Sequence, residues 1–236
     1  MKSLIARFCL IVSFCVLAAD IAFAQVTVPS GGAISLPTGG NMDLSCNALN
    51  VLGTFSVNAG QATNAGGIAI ASGGTLDSGQ GTISVSGNWS NSGTFVPGTG
   101  TVVFTDGCAT GNIVLSGGTT FNNLNLSSST GRTFVIPSGA NITVNGTLTL
   151  QGASGQPITL ISSTGQTAVI SLGPQATLVR NNVNFNSNVQ IGAVLPTVAQ
   201  SIPTLSEYGL VSLALLMLLA ASWQNKRRGF NTARQQ

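Results

Sequence analysis

Three aspartates in the body of the chain have side chains that could do acid–base chemistry. Glycoside hydrolysis uses two carboxylates about 5 to 9 Å apart, and Asp77 and Asp106 would approach each other if their separation matched whole coils of a β structure. Each of the three, however, lies in a turn-like context such as Asp77-Ser78-Gly79, where an aspartate binds the nearby backbone. The chain has no histidine, the usual general base and metal ligand. We therefore expect Asp43, Asp77 and Asp106 to form turns, with no catalytic residue, no cofactor and no metal.

Charge is scarce and is concentrated at the two ends. Charged residues make up 6% of the 236 residues, and the formal net charge is +3, so the few positive side chains decide where an acidic partner could bind. Six of them are terminal: Lys2, Arg7, Lys226, Arg227, Arg228 and Arg234. Because phosphate neutralisation needs a basic face, which the body lacks, nucleic acid is excluded as a partner.

The body, residues 25–195, consists of short β-prone segments separated by Gly, Asn, Ser and Thr. Segments such as 54–57 and 101–104 alternate apolar and small polar residues, the period of a strand with one buried face. A Gly-Thr-apolar tripeptide recurs about every 20 residues, a spacing typical of stacked repeats. It occurs at Gly53-Thr54-Phe55, Gly74-Thr75-Leu76 and Gly93-Thr94-Phe95, with a second series at Gly81-Thr82-Ile83 and Gly100-Thr101-Val102.

These features predict an all-β fold, a parallel β-solenoid in which Gly and Asn occupy the corners between strands. The apolar residues expected to point into its core include Phe55, Phe95, Phe104, Leu148 and Leu150. An antiparallel β-sandwich is the alternative, because it also has many short strands with frequent turns. Residues 86–104 and 120–126 resemble repeat units of exported bacterial β-helical surface proteins.

The N-terminal residues 1–24 have the layout of a secretory signal peptide. Lys2 and Arg7 precede an apolar run, and Ala22-Phe23-Ala24 supplies the small residues of a cleavage site before Gln25. Cleavage there would leave Cys46 and Cys108 as the cysteines of the mature body. At about 20 residues per coil they lie three coils apart, about 14 Å, which is too far for a disulfide. We expect two free thiols, unless an irregular N-terminal cap folds Cys46 over; the disulfide is the alternative.

The last 41 residues have a different composition. Residues 196–201 predict a short tether, and residues 202–236 contain a polar motif, an apolar run and a basic tail. The apolar run, about residues 208–224, is long enough for one short transmembrane helix. The basic tail, residues 225–236, includes Lys226, Arg227 and Arg228, which the positive-inside rule places in the cytoplasm with the body outside.

Residues 202–209 with the run and tail that follow them resemble the IPTL-CTERM sorting domain. The matching motif residues are Ile202, Pro203, Thr204, Leu205, Tyr208 and Gly209. The family usually has Trp where this chain has Tyr208. The resemblance implies export from a Gram-negative bacterium and recognition of these six residues by a membrane exosortase.

Together these observations predict an exported, non-catalytic surface protein with a structural or adhesive role. Its expected partners are the secretion machinery, an exosortase-type enzyme and the membrane, with polysaccharide as a further candidate. Its expected location is the inner membrane as an anchored precursor, then the cell envelope, surface or extracellular matrix. The alternative function is a carbohydrate-binding or carbohydrate-cleaving β-helix.

Overall fold

A computed structural model describes residues 25–108, 110–186, 188–193 and 215–219. The chain divides into two compact units, Met1–Leu195 and Pro196–Gln236. The first unit contains a series of short strands, and residues 215–219 of the second are helical. The strands are β1 (Gln25–Val28), β2 (Ala33–Ser35), β3 (Asn41–Asp43), β4 (Ala48–Val51), β5 (Thr54–Ser56), β6 (Gln61–Ala65), β7 (Gly67–Ile70), β8 (Thr75–Asp77), β9 (Thr82–Val85), β10 (Trp89–Asn91), β11 (Thr94–Val96), β12 (Thr101–Phe104), β13 (Ile113–Ser116), β14 (Thr119–Phe121), β15 (Asn123–Ser128), β16 (Thr133–Ile136), β17 (Ile142–Val144), β18 (Thr147–Gly152), β19 (Ile158–Ser162), β20 (Ala168–Leu172), β21 (Thr177–Asn181), β22 (Val183–Phe185) and β23 (Val189–Ala193).

Every third strand belongs to the same face of a three-sided solenoid. The first face has the order β1-β4-β7-β10-β13-β16-β19-β22, and the third face has the order β21-β18-β15-β12-β9-β6-β3. The second face is split into β11-β8-β5-β2 and β14-β17-β20-β23. Neighbouring strands in these sheets pair in parallel, as between β1 and β4 and between β3 and β6. The predicted parallel β-solenoid is confirmed, and the β-sandwich alternative is wrong.

The Gly-Thr-apolar repeat sets the length of a coil. Thr54 pairs with Thr75, and Thr75 pairs with Thr94, so successive coils advance the chain by 21 and then 19 residues. The glycine before each threonine lies where two coils touch. A Cβ atom added to Gly74 would overlap the carbonyl oxygen of Val51 in the preceding coil. Asparagines supply other left-handed residues: Asn58 and Asn182 lie at corners with φ values of 52° and 50°, and Asn64, with a φ of 54°, lies where the pairing register of β6 against β9 shifts. Asn tolerates this region better than most residues.

The core is a set of apolar ladders that run along the solenoid axis. On the third face the ladder is Ala62, Ile83, Val102, Leu124, Leu148 and Leu178, each residue pairing with the next. Four of the predicted core residues, Phe55, Phe104, Leu148 and Leu150, have no exposed surface. Each fully buried side chain of this size contributes about 1.5 to 3 kcal/mol to stability, so the ladders are the main stabilising feature of the fold.

Phe95, the fifth predicted core residue, is half-buried because it lies beside the break in the second face. Strand β11 does not pair with β14, and the ring of Phe95 instead packs against Trp89 and Phe121 at centroid distances of 5.1 and 5.4 Å. Buried polar groups bridge this break: Thr119 Oγ1 accepts hydrogen bonds of 3.1 Å from Trp89 Nε1 and from Asn91 Nδ2. Trp89 is 1% exposed, so its ring has no face available for stacking on a sugar.

Candidate functional site

In the described chain, the corner between β12 and β13 is the longest of those that lead from a strand of the third face to a strand of the first face. Residues 105–112 form it, whereas Gly66 alone separates β6 from β7. Cys108 in this corner forms a disulfide with Cys46, whose Cα atom is 5.0 Å away. Cys46 lies in the corner between β3 and β4, in the left-handed region with a φ of 66°.

The disulfide corrects the expectation of free thiols. The two cysteines do lie three coils apart along the axis, but the argument assumed that every corner stacks directly on the one before. The corner after β12 instead folds back toward the earlier coils. The Cys108 Sγ atom consequently lies 3.6 Å from the Asn64 carbonyl oxygen of the second coil. Four extended residues span about 13 to 14 Å, enough to bring Cys108 from the end of β12 at Phe104 to Cys46.

Asp106 ties the same corner to the following coil. Its Oδ1 atom accepts a hydrogen bond of 2.8 Å from Ser128 Oγ, and its Oδ2 atom accepts bonds of 2.6 and 2.9 Å from the Ser129 amide and Ser129 Oγ. Burial acts to raise the pKa of Asp106, but the hydrogen bonds outweigh burial and the pKa lies below its ordinary value. Asp106 is therefore held as a carboxylate by neutral donors.

The other two aspartates follow the turn prediction more simply. Asp77 Oδ1 accepts a hydrogen bond of 2.8 Å from the Gly79 amide, two residues on. Asp43 Oδ1 accepts bonds from the Ser45 amide at 2.8 Å and from Asn64 Nδ2 at 3.0 Å. The hydrogen bond from the Ser45 amide, helped by Asn64, lowers the pKa of Asp43. All three carboxylates thus accept backbone amides at corners.

Arg132 lies beside this corner and was not predicted as a site residue. It is 7% exposed; its Nε atom donates to the Gly111 carbonyl oxygen at 3.0 Å and its Nη1 atom donates to the Ser86 carbonyl oxygen at 2.6 Å. Burial lowers the pKa of Arg132, and the nearby Asp106 charge partly offsets that effect. Its Nη2 atom is buried without a hydrogen-bond partner. The signal available in the sequence was an isolated arginine in a body with almost no charge.

Two open clefts flank Asp106. One, of about 540 Å³, is lined by side chains that include Thr105, Ser127, Ser129 and Gln151. The other, of about 410 Å³, is bordered by Thr110, Asn112 and Arg132. Asp106 is the one carboxylate that either cleft presents among the described residues, and Asp77, on the second face, lines neither. The structure therefore does not bring Asp77 and Asp106 together in these clefts.

Most of the residues assigned to export and sorting lie outside the described part of the chain. These are Ala22 and Ala24 of the cleavage site, the tether 196–201, the motif residues Ile202, Pro203, Thr204, Leu205, Tyr208 and Gly209, and the basic residues Lys226, Arg227 and Arg228. Gln25, the residue after the predicted cleavage site, is the first residue of β1. Of the predicted span 208–224, residues 215–219 are described, and they form an exposed helical segment.

The parallel strands, the three faces and the axial core ladders define the body as a β-solenoid, a repeat fold that serves many functions. The family model for the IPTL-CTERM motif matches residues 200–228. This match supports the suspected sorting domain, and it implies a C-terminal sorting signal on a secreted, surface-directed protein. No curated protein and no solved structure matches the chain. Within the residues that the structure describes, no helix has the length and apolar character needed to cross a membrane.

Proposed function

We propose that this chain is a non-catalytic structural or adhesive component of the cell envelope or extracellular matrix, delivered there by an exosortase-type enzyme. The observation that carries the proposal is the sorting motif matched at residues 200–228, which follows the β-solenoid in the same chain. In this proposal the solenoid is the cargo and the tail is the substrate of another protein.

The residues of the tail suit this role. Pro203 lacks an amide hydrogen and disfavours a helical conformation at the residue before it, so the motif would be presented in an extended form. The apolar run 208–224 would hold the motif at the membrane surface in a Gram-negative inner membrane, and Lys226, Arg227 and Arg228 would fix its orientation. An enzyme embedded in the same membrane would then meet the motif at a defined depth.

The test follows the mass and location of a chain with an epitope tag between the signal peptide and the solenoid. We expect the Pro203→Ala variant to accumulate as an unprocessed, membrane-associated precursor, while the wild-type chain is processed and reaches the cell surface. The matched control is Pro196→Ala, which removes a proline from the tether and leaves the motif unchanged. Processing and location of Pro203→Ala that equal those of the control would refute recognition of the motif.

Carbohydrate binding is a second candidate function, favoured by the polar cleft beside Asp106. Hydroxyl and amide groups from Thr105, Ser127, Ser129 and Gln151 line this cleft, and such neutral groups match the hydroxyls of a sugar chain. A glycan array probed with the intact protein and with Gln151→Ala measures this directly. Binding that is lost in Gln151→Ala would support the second candidate, and no binding would leave the purely structural role.

A further inference from the structure

Both ends of the solenoid expose apolar side chains from the core ladders. At the N-terminal end, Val26, Ile34 and Met42 are only partly buried, one on each face. At the other end, Leu178, Val183 and Ile191 are partly buried, again one on each face, and Phe185 is 36% exposed. These residues occupy ladder positions: Phe185 pairs with the buried Leu160, and Ile191 pairs with the buried Ile170.

The same two ends carry the outer edges of the sheets. Strands β1, β2 and β3 are terminal in their sheets at one end, and β22, β23 and β21 are terminal at the other. No strand of the described chain pairs with these outer edges, which leaves backbone groups available for another strand. Because all the strands run parallel, the edge presented at one end is complementary to the edge presented at the other.

The charges at the two ends are also complementary. The third face begins with β3, which carries the exposed Asp43, and finishes with β21, which carries the exposed Arg180. Arg180 follows Leu126 and Leu150 in its ladder, and its guanidinium lies 5.7 Å from the centre of the Phe185 ring. Because Arg180 is exposed, its long side chain can carry the guanidinium to the outer surface of this end, and Asp43 lies on the outer surface at the other end, one residue after the inward Met42.

We propose that the C-terminal end of one solenoid docks on the N-terminal end of a second copy of this chain. Strands β21, β22 and β23 of one copy then meet β3, β1 and β2 of the next, Phe185 enters the apolar end around Met42, and Arg180 approaches Asp43. A second copy is the occupant that matches the end in number of strands, strand direction and charge. Such a contact joins two different surfaces and does not close on itself, so it generates open linear assemblies. This proposal rests on the solenoid alone and is independent of the sorting signal.

The experiment measures the mass of the full-length exported protein against concentration by sedimentation in density-matched detergent. We expect the wild-type mass to rise with concentration, and the Phe185→Glu variant to remain a monomer over the same range. The matched control is Val169→Glu, which puts the same charge on the exposed lateral surface of the second face and should associate like the wild type. Circular dichroism establishes that each variant is folded.

A charge exchange tests the contact in folded proteins without altering an apolar residue. Arg180→Glu and Asp43→Lys each place like charges at the junction, so each alone should associate at least tenfold more weakly than the wild type. Mixed together, each variant presents its C-terminal end to an oppositely charged N-terminal end of the other, so the mixture should regain concentration-dependent assembly in which the two variants alternate. A wild-type protein that is monomeric at all concentrations, as expected if residues 194–201 of the same chain cover the end, would overturn the proposal. Association lost in Val169→Glu, or kept in both charge variants, would do the same.

Discussion

At the residue scale, the disulfide between Cys46 and Cys108 should have a large effect on stability. It joins residues separated by 62 positions, so it removes much of the freedom of the second, third and fourth coils in the unfolded chain. In the chain-entropy model a bridge of this span contributes about 4 kcal/mol. The Cys46→Ser/Cys108→Ser variant should lose stability of this order, measured by urea unfolding of the oxidised proteins.

Two observations separate this effect from a packing defect. The oxidised mature protein should show no alkylation at either cysteine, and reduction of the wild type should lower its stability to that of the double serine variant. Alkylation of both thiols in the untreated protein would contradict the disulfide and would restore the spacing argument that predicts free thiols.

Asp106 should make the free energy of unfolding depend on pH in the acid range. Its pKa in the folded protein is lowered by hydrogen bonds from Ser128 and Ser129, which outweigh burial, whereas an unfolded aspartate has a pKa of about 3.9. A carboxylate with a depressed pKa contributes stability above the unfolded pKa and loses it as the pH falls through the folded pKa. The unfolding free energy of the wild type should thus exceed that of Asp106→Asn by a constant amount near neutrality, and this difference should shrink below about pH 4.

Urea unfolding of both proteins across this pH range checks the expectation. Asp43 also has a lowered pKa, but it is present in both proteins, so its contribution cancels in the difference. A difference that stays constant down to the acid limit would show that the hydrogen bonds to Asp106 do not depend on its charge.

At the scale of the strand and its corner, the close approach of successive coils should make some glycines irreplaceable. A Cβ atom at Gly74 would overlap the Val51 carbonyl oxygen, whereas one at Gly165 would meet no atom within 4 Å. Since the obstruction is backbone, Gly74→Ala should force the coils apart and cost about 1 to 3 kcal/mol. Gly165→Ala, the matched control, should change stability by less than about 0.5 kcal/mol. Equal thermal midpoints for the two variants would contradict the tight stacking at the corner.

The sequence predicted the regular elements because their information is local. Gly53-Thr54-Phe55 and its two repeats encode a corner, a strand and an inward residue in three positions, and their spacing equals the pairing register. The fold-back of residues 105–112 was not predictable in this way, because it depends on a contact between Cys108 and Asn64, 44 positions apart. The break at β11 was not predictable for the same reason. Asn91 takes the ladder position of Ile70, and its side chain donates a hydrogen bond to Thr119, 28 positions later.

The same distinction between local and long-range information applies to the candidate site. The aspartates were predicted as turn residues from their neighbours alone, and Asp77 and Asp43 behave in that way. Residues from three coils form the environment of Asp106 and Arg132, because Arg132 donates a hydrogen bond to the Ser86 carbonyl oxygen 46 positions earlier. A sequence pattern that repeats every coil cannot encode a contact that occurs only once.

At the scale of the whole molecule, a solenoid is stabilised mainly by contacts between neighbouring coils, so removing one coil in register should leave the rest able to fold. Thr147 pairs with Thr177, and deleting residues 147–176 would join Gly146 to Thr177 and place β21 on β15, where β18 lay. Leu178 would then replace Leu148 opposite Leu124, and the disulfide would be untouched. We expect a cooperative protein with an unchanged β-sheet spectrum and a smaller dependence of its unfolding free energy on urea, since less surface is exposed on unfolding.

The matched control deletes one more residue, 147–177, and joins Gly146 to Leu178. A shift of one residue moves every apolar side chain of a strand to the opposite face, so Leu178 would face solvent and Val179 would take its place in the ladder. This protein should lose the cooperative unfolding of its last coils and aggregate on heating, although it differs from the first deletion by a single threonine. If the two deletions unfolded alike, pairing register would not determine the stability of this end, and the solenoid would tolerate slipped coils. If only the in-register deletion is cooperative, the axial ladders determine which lengths of chain can form a stable coil.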